Sequence, residues 1–299
     1  MASVLSLLVS TEYRNDIMSK SFWIGTFLFP IIAVAFGLVI GLLMDSSDAM
    51  QEMTPSGKNS DDMTAAQALG MMSGLLLVMF IMIYGAQIFN KVKTEKTNRI
   101  SEVLVGSVPG RTLMIAKVIS VALVGITQML VWAVLIVSIL GVIFLFVPFP
   151  IGFGEIFTFR NLGLLMIILL YFSGGFLFYG SLFAASGALT DRNNENQTYM
   201  TIVTFTLMIS MYIGMFSTDN AGSILSKVCF YIPFTSPSVG GVLSVSGIAN
   251  WYEILISIVV LFGSAFIMTA VAGKIYTSAL LLKGKKFSPR DIMVFLRAK

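Results

Sequence analysis

Residues 21–44 carry no charge, and five further runs of membrane-spanning length are uncharged or nearly so: 65–89, 113–147, 162–189, 199–216 and 252–282. A helix of about 20 apolar residues crosses the hydrocarbon core of a bilayer. In lipid every backbone N–H and C=O must be satisfied within the protein, which leaves helices and closed barrels as the spanning structures. Runs this long, without period-two alternation, select helices. Composition agrees: 57% of residues are hydrophobic, 11% are charged and the mean hydropathy is +0.90, against roughly 25% charged in soluble domains. The expected fold is an all-α integral membrane protein of six transmembrane helices in a single transmembrane domain over residues 1–299.

The segments between the runs orient them. Of the 19 lysines and arginines, this topology leaves only Lys58, Arg160 and Lys227 outside, the asymmetry expected when basic loops stay cytoplasmic. Both termini then lie inside. Residues 1–20 carry an apolar run ahead of Glu12, Arg14, Asp16 and Lys20, the reverse of a cleaved leader. They predict a helix lying in the membrane interface. Residues 217–250 are interrupted by Pro233, Pro237, Gly240, Gly241 and Gly247 yet remain apolar. Two short helices dipping into the outer leaflet, a re-entrant segment before the last span, fit that pattern. The net charge of +4 follows the topology and is not a nucleic-acid signature.

The chain has no histidine and a single cysteine, Cys229. This removes the commonest general base and metal ligand and any Cys-based metal cluster. No Asp, Glu or Arg sits in the middle of a run, so coupling to an ion gradient, which tends to need such a group, is poorly supported. No phosphate-binding glycine loop occurs: Lys283-Gly284-Lys285-Lys286 lacks the leading glycine spacing. Energy for transport would come from a partner. Gln87 and Gln128 are polar exceptions within the runs and the candidate pathway residues, and Gln128 equally suits a hydrogen bond between helices. The 19 methionines read as bundle packing.

One segment stands apart. Residues 90–117 hold Lys91, Lys93, Lys96, Arg99, Arg111 and Lys117 against Glu95 and Glu102. Ile100, Val103 and Leu104 recur at helical spacing, with Glu95, Arg99 and Glu102 on another face, and Val108-Pro109-Gly110 breaks the helix. A short amphipathic helix here is a docking element; a solvated basic loop is the plain alternative.

Three stretches resemble the permease subunit of ABC-2 type exporters, in the branch of sodium-extrusion and antibiotic-export permeases. They are Glu95 to Leu104 with Ser107-Val108-Pro109 and Lys117, the run Ile232-Pro233-Phe234-Thr235-Ser236-Pro237, and Glu12-Tyr13-Arg14 through Lys20-Ser21-Phe22 to Pro30. The resemblance implies that Glu95, Lys96, Arg99, Glu102, Leu104 and Pro109 couple to a separate cytoplasmic ATPase, with Asp191, Arg192 and Glu195 as a second contact. It implies that Pro233, Phe234, Thr235, Ser236 and Pro237 form the re-entrant segment. ATP and Mg would bind on the partner ATPase and no cofactor on this chain. A second permease copy, identical or not, would complete an exporter of a lipophilic, amphipathic or small ionic substrate. The plasma membrane of a bacterium or archaeon would be its site. The chain departs from many relatives in keeping only about residues 45–64 where they carry a large extracytoplasmic domain. A non-transporting membrane scaffold and a secondary transporter are the competing readings.

Overall fold

Long apolar runs become long helices because only a helix satisfies the whole backbone of such a run internally. The computed structural model describes residues 2–20, 22–24, 26–27, 65–97, 110–146, 159–190, 198–245 and 247–281. Among them every regular element is a helix: α1 (Ala2–Ile17), α2 (Ala65–Thr97), α3 (Gly110–Phe146), α4 (Phe159–Leu189), α5 (Thr198–Asp219), α6 (Ile224–Tyr231), α7 (Ser236–Val245) and α8 (Trp251–Leu281). Among the described residues four stretches are long and apolar enough to cross a membrane, Thr112–Trp132, Gly163–Leu189, Thr198–Asp219 and Trp251–Ala279, and the bent pair α6–α7 makes a fifth if counted as one crossing. The expected run at 21–44 lies mostly outside the described residues. The run at 65–89 forms the first part of α2, which continues without a break through the charged residues to Thr97.

α4 is the central helix, packed on α8, α2, α7, α3 and α5. α2 and α4 run parallel, with Ile81 against Gly175, Ile88 against Gly180, and Phe89 and Val92 against Gly187. α4 and α8 are also parallel, since Gly174 meets Leu261 and the Ser181 and Thr269 hydroxyls lie 2.8 Å apart. α3 runs against α2: Trp132 packs on Phe80, Tyr84 donates to Gln128, and Lys117 meets Glu95. Tyr171, Tyr179, Tyr276, Phe89, Phe172, Phe176 and Phe183 fill the core. The outward faces are apolar as well: on α8 Trp251, Leu255, Val259, Phe266 and Ile267 are all exposed. A bundle apolar on both sides is built for lipid.

α6 and α7 are bent 119° from each other. Ser226 on α6 donates to Asn220 at the end of α5, and Ser257 near the start of α8 donates to Phe230 on α6. Both contacts fall on one eight-residue helix, about 12 Å long at ~1.5 Å per residue. The chain therefore enters and leaves the pair at one end of the bundle. Ser236 to Ser244 of α7 are all buried, and the turn ahead of them is satisfied internally. Tyr179 donates its hydroxyl to the Phe234 carbonyl at 2.5 Å, Thr235 Oγ1 donates to the Cys229 carbonyl at 2.6 Å, and Ser238 Oγ donates to the Ser210 carbonyl at 2.7 Å. Pro237 sits in the first turn of α7, where a missing N–H costs nothing.

Candidate functional site

Helical spacing places Glu12 and Asp16 on one face of α1, and Lys91 and Glu95 on one face of α2. The two faces meet at one end of the bundle. Lys91 Nζ lies 2.6 Å from an Asp16 oxygen and 3.3 Å from Glu12. Lys117, from α3, lies 3.2 Å from the other Glu12 oxygen and pairs closely with Glu95. Tyr276 of α8 donates to the second Glu95 oxygen at 3.3 Å. Three carboxylates thus share two ammonium groups across three helices, and Tyr276 ties in a fourth. Lys117 is 5% exposed, and a charge so desolvated persists only when paired. Tyr13 and Thr127, their hydroxyls 2.8 Å apart, pin α1 on α3 beside the cluster.

Burial of Glu12 disfavours its charged form, but Lys117 and Lys91 together outweigh this and hold its carboxyl below the ordinary value of 4.5. A carboxyl depressed in the folded state stabilises fully above its unfolded value, and the stabilisation is lost as pH falls through the folded one. Thermal unfolding of the detergent-solubilised protein should lose this contribution progressively below pH 4.5. Glu12→Gln should flatten that acid limb relative to the wild type, and an unchanged limb would show that the pairs do not act on Glu12.

The same end holds a second junction. Lys96, next to Glu95, donates to the Ala188 carbonyl at 2.6 Å and the Thr190 carbonyl at 3.0 Å. An ammonium on the last carbonyls of a helix satisfies groups with no intrahelical partner and suits the negative end of its dipole. Lys96 thereby sets the end of α2 beside the residue that precedes Asp191. Arg99, Glu102, Leu104 and Pro109 lie outside the described residues, as do Asp191, Arg192 and Glu195. Glu95 turns inward to Lys117 and Tyr276. Gln128 is buried and accepts from Tyr84, whereas Gln87 is exposed on α2. In the bent pair, Thr235, Ser236 and Pro237 are buried, and Phe234 packs edge-on against Phe178.

Sequence reasoning placed Glu12, Asp16, Lys91 and Lys117 singly, did not single out Tyr276, and missed that the five converge. The signal was present in the pairs Glu12/Asp16 and Lys91/Glu95, each four residues apart beside an apolar run. In a chain with 11% charged residues, such pairs ask for partners. Among the described residues no group of three His, Cys, Asp or Glu can hold a metal ion.

A helical bundle with several apolar crossings and an apolar outer surface is a multi-pass membrane protein. Sequence comparison sharpens the class: the chain belongs to the ABC-2 family transporter proteins, whose family model matches residues 49–274. It is similar to the uncharacterized protein YhaP of Bacillus subtilis, 23% identical over 83% of this chain and 59% of that one. It is also similar to the uncharacterized protein MJ1024 of Methanocaldococcus jannaschii, 24% identical over 75% of this chain and 52% of that one. The match thus spans little more than half the length of either relative. No solved structure matches.

Proposed function

We propose that the chain is the membrane-spanning permease subunit of an ATP-driven exporter, docking a separate cytoplasmic ATPase at the end of the bundle that holds Lys96 and the ionic cluster. One observation carries this reading. Lys96 binds the Ala188 and Thr190 carbonyls, so the C-terminal ends of α2 and α4 are held side by side. A partner that docks at this end of the bundle meets both helix ends. Family membership supports the ATPase in general.

In this reading ATP and Mg bind the partner, a second permease copy completes the path, and the topology has six spans with both termini cytoplasmic. The α6–α7 pair is the re-entrant segment on the outer side. The neutral helix faces favour a lipophilic or amphipathic cargo, with a small ion as the further family expectation, and bacterial or archaeal plasma membranes fit the organisms of the two relatives.

The test is co-purification with the candidate ATPase and its hydrolysis rate in proteoliposomes. Lys96→Glu should weaken the association about tenfold, equivalent to roughly 1.4 kcal/mol, and lower hydrolysis stimulated by the permease. Association and hydrolysis unaffected by Lys96→Glu would remove the composite docking surface. A chain that never associates with any ATPase would favour the scaffold reading.

A further inference from the structure

Residues 1–20 hold two acids, Glu12 and Asp16, and two bases, Arg14 and Lys20. As a sequence the segment has no net side-chain charge. Folding sorts the four. Glu12 and Asp16 turn inward to Lys91 and Lys117, on the side where Leu8, Tyr13 and Ile17 pack against the core. Val4, Leu7, Thr11, Arg14 and Met18 recur at three- and four-residue spacing along another face, and all five are exposed. Met18 continues the helical turn, donating its N–H to the Arg14 carbonyl at 3.0 Å. Lys20 is exposed as well, and among the described residues neither it nor Arg14 makes an ion pair. The outer side of this segment therefore presents two cations among apolar side chains, and its acids are engaged elsewhere.

The chain beyond α1 extends the same surface. Ser19 caps a resumed helix, its Oγ accepting from the Phe22 N–H at 3.2 Å, and Trp23, Ile24 and Phe27 are all exposed. The Trp23 and Phe27 rings stack with centroids 5.8 Å apart. Tryptophan gathers at the boundary between headgroups and acyl chains, where one end of the ring is wet and the other apolar. Two cations beside apolar anchors and such a ring match a lipid that is negative at its headgroup and apolar below it. A zwitterionic lipid answers the apolar part alone.

We propose that the outer face of α1, with the turn that follows it, is a binding surface for anionic phospholipid. Arg14 and Lys20 hold the phosphate-bearing headgroups, and Leu7, Met18 and Trp23 lie against the acyl chains. The ionic cluster makes the surface selective: by engaging Glu12 and Asp16 on the inner side it withdraws the carboxylates that would repel such a lipid. This holds whether or not the chain docks an ATPase.

The test uses the full chain in vesicles of phosphatidylcholine and phosphatidylglycerol, with bromine on the acyl chains of one lipid or the other. Bromine quenches a tryptophan only at close contact, and the quenching lost on Trp23→Phe is that of Trp23. At equal mole fraction, phosphatidylglycerol should associate with the Trp23 site about fivefold more strongly than phosphatidylcholine, the contribution of one basic side chain at a charged surface, or more. Arg14→Gln with Lys20→Gln, two exposed positions that the fold should tolerate, should bring that ratio close to one. Lys227→Gln, exposed on α6, should leave it unchanged. Equal quenching by the two lipids in the wild type would overturn the proposal, as would a preference that survives the double substitution. Quenching of Trp23 by neither lipid would also overturn it, and would show that protein covers this face.

Discussion

Lys117→Met is expected to lower thermal stability more than any other single substitution in the ionic cluster. Lys117 is 5% exposed and pairs with both Glu12 and Glu95. Removing one partner of a buried pair leaves charge in a medium that cannot solvate it, at a cost of about 3–5 kcal/mol. The two carboxylates do not suffer equally. Glu12 keeps Lys91, whereas among the described residues Glu95 keeps only the Tyr276 hydroxyl at 3.3 Å. Adding Glu95→Gln to Lys117→Met should therefore recover most of the loss, and adding Glu12→Gln should recover less. Thermal unfolding of the single and double variants checks the order. Equal recovery by the two amides would show that the charges are not partitioned as the distances indicate.

Gly187→Leu is expected to separate α2 from α4 and, under the proposed docking, to uncouple the protein from the candidate ATPase. An added Cβ at Gly187 would lie 2.7 Å from the Phe89 carbonyl oxygen and 3.3 Å from Phe89 Cα. These are backbone atoms, which cannot swing aside, so even alanine forces the helices apart. Overpacking a tight interface costs about 1–3 kcal/mol and sometimes more, and leucine should reach the upper part of that range. The function at stake is next door. Lys96 holds the Ala188 and Thr190 carbonyls, and widening the α2–α4 gap pulls its ammonium off them. Gly163→Leu is the control, since nothing lies within 4 Å of a Cβ there. Gly187→Leu should lower both melting temperature and permease-stimulated ATP hydrolysis, with Gly163→Leu near wild type in both. Coupling retained in a folded Gly187→Leu protein would contradict the composite docking surface.

What could be read ahead of the structure follows from the physics of each segment. The uncharged runs that became α3, α4, α5 and α8 were legible because lipid admits no other regular element of that length. The broken pair α6–α7 was legible because Pro233 and Pro237 interrupt a stretch too apolar to be a free loop. The continuation of α2 to Thr97 was not. Lys91 and Glu95 looked like the start of a separate polar segment, but their partners on α1 and α3 keep them at the bundle. Those partners are remote in sequence: Glu12 and Lys117 are 105 residues apart, and no local pattern announces such a pairing. The resemblance gives Glu95 as an ATPase-coupling residue, and nothing in the sequence announces that its carboxylate also meets Lys117 and Tyr276. The fit of the Tyr171 ring on Gly240 was equally invisible, because it depends on how α4 meets α7.

The most direct test of the central claim is site-specific crosslinking between this chain and the candidate ATPase. Cys229, the only cysteine, is buried, and Cys229→Ser gives a background free of thiols. Single cysteines are then introduced at Asp191, adjoining the Lys96 junction, and at Ile224, which is 83% exposed on α6. The account predicts crosslinks to the ATPase from Asp191→Cys. It predicts none from Ile224→Cys, which should instead react with a membrane-impermeant thiol reagent applied outside the cell. Crosslinking to the ATPase from Ile224→Cys, or from neither position, would contradict it.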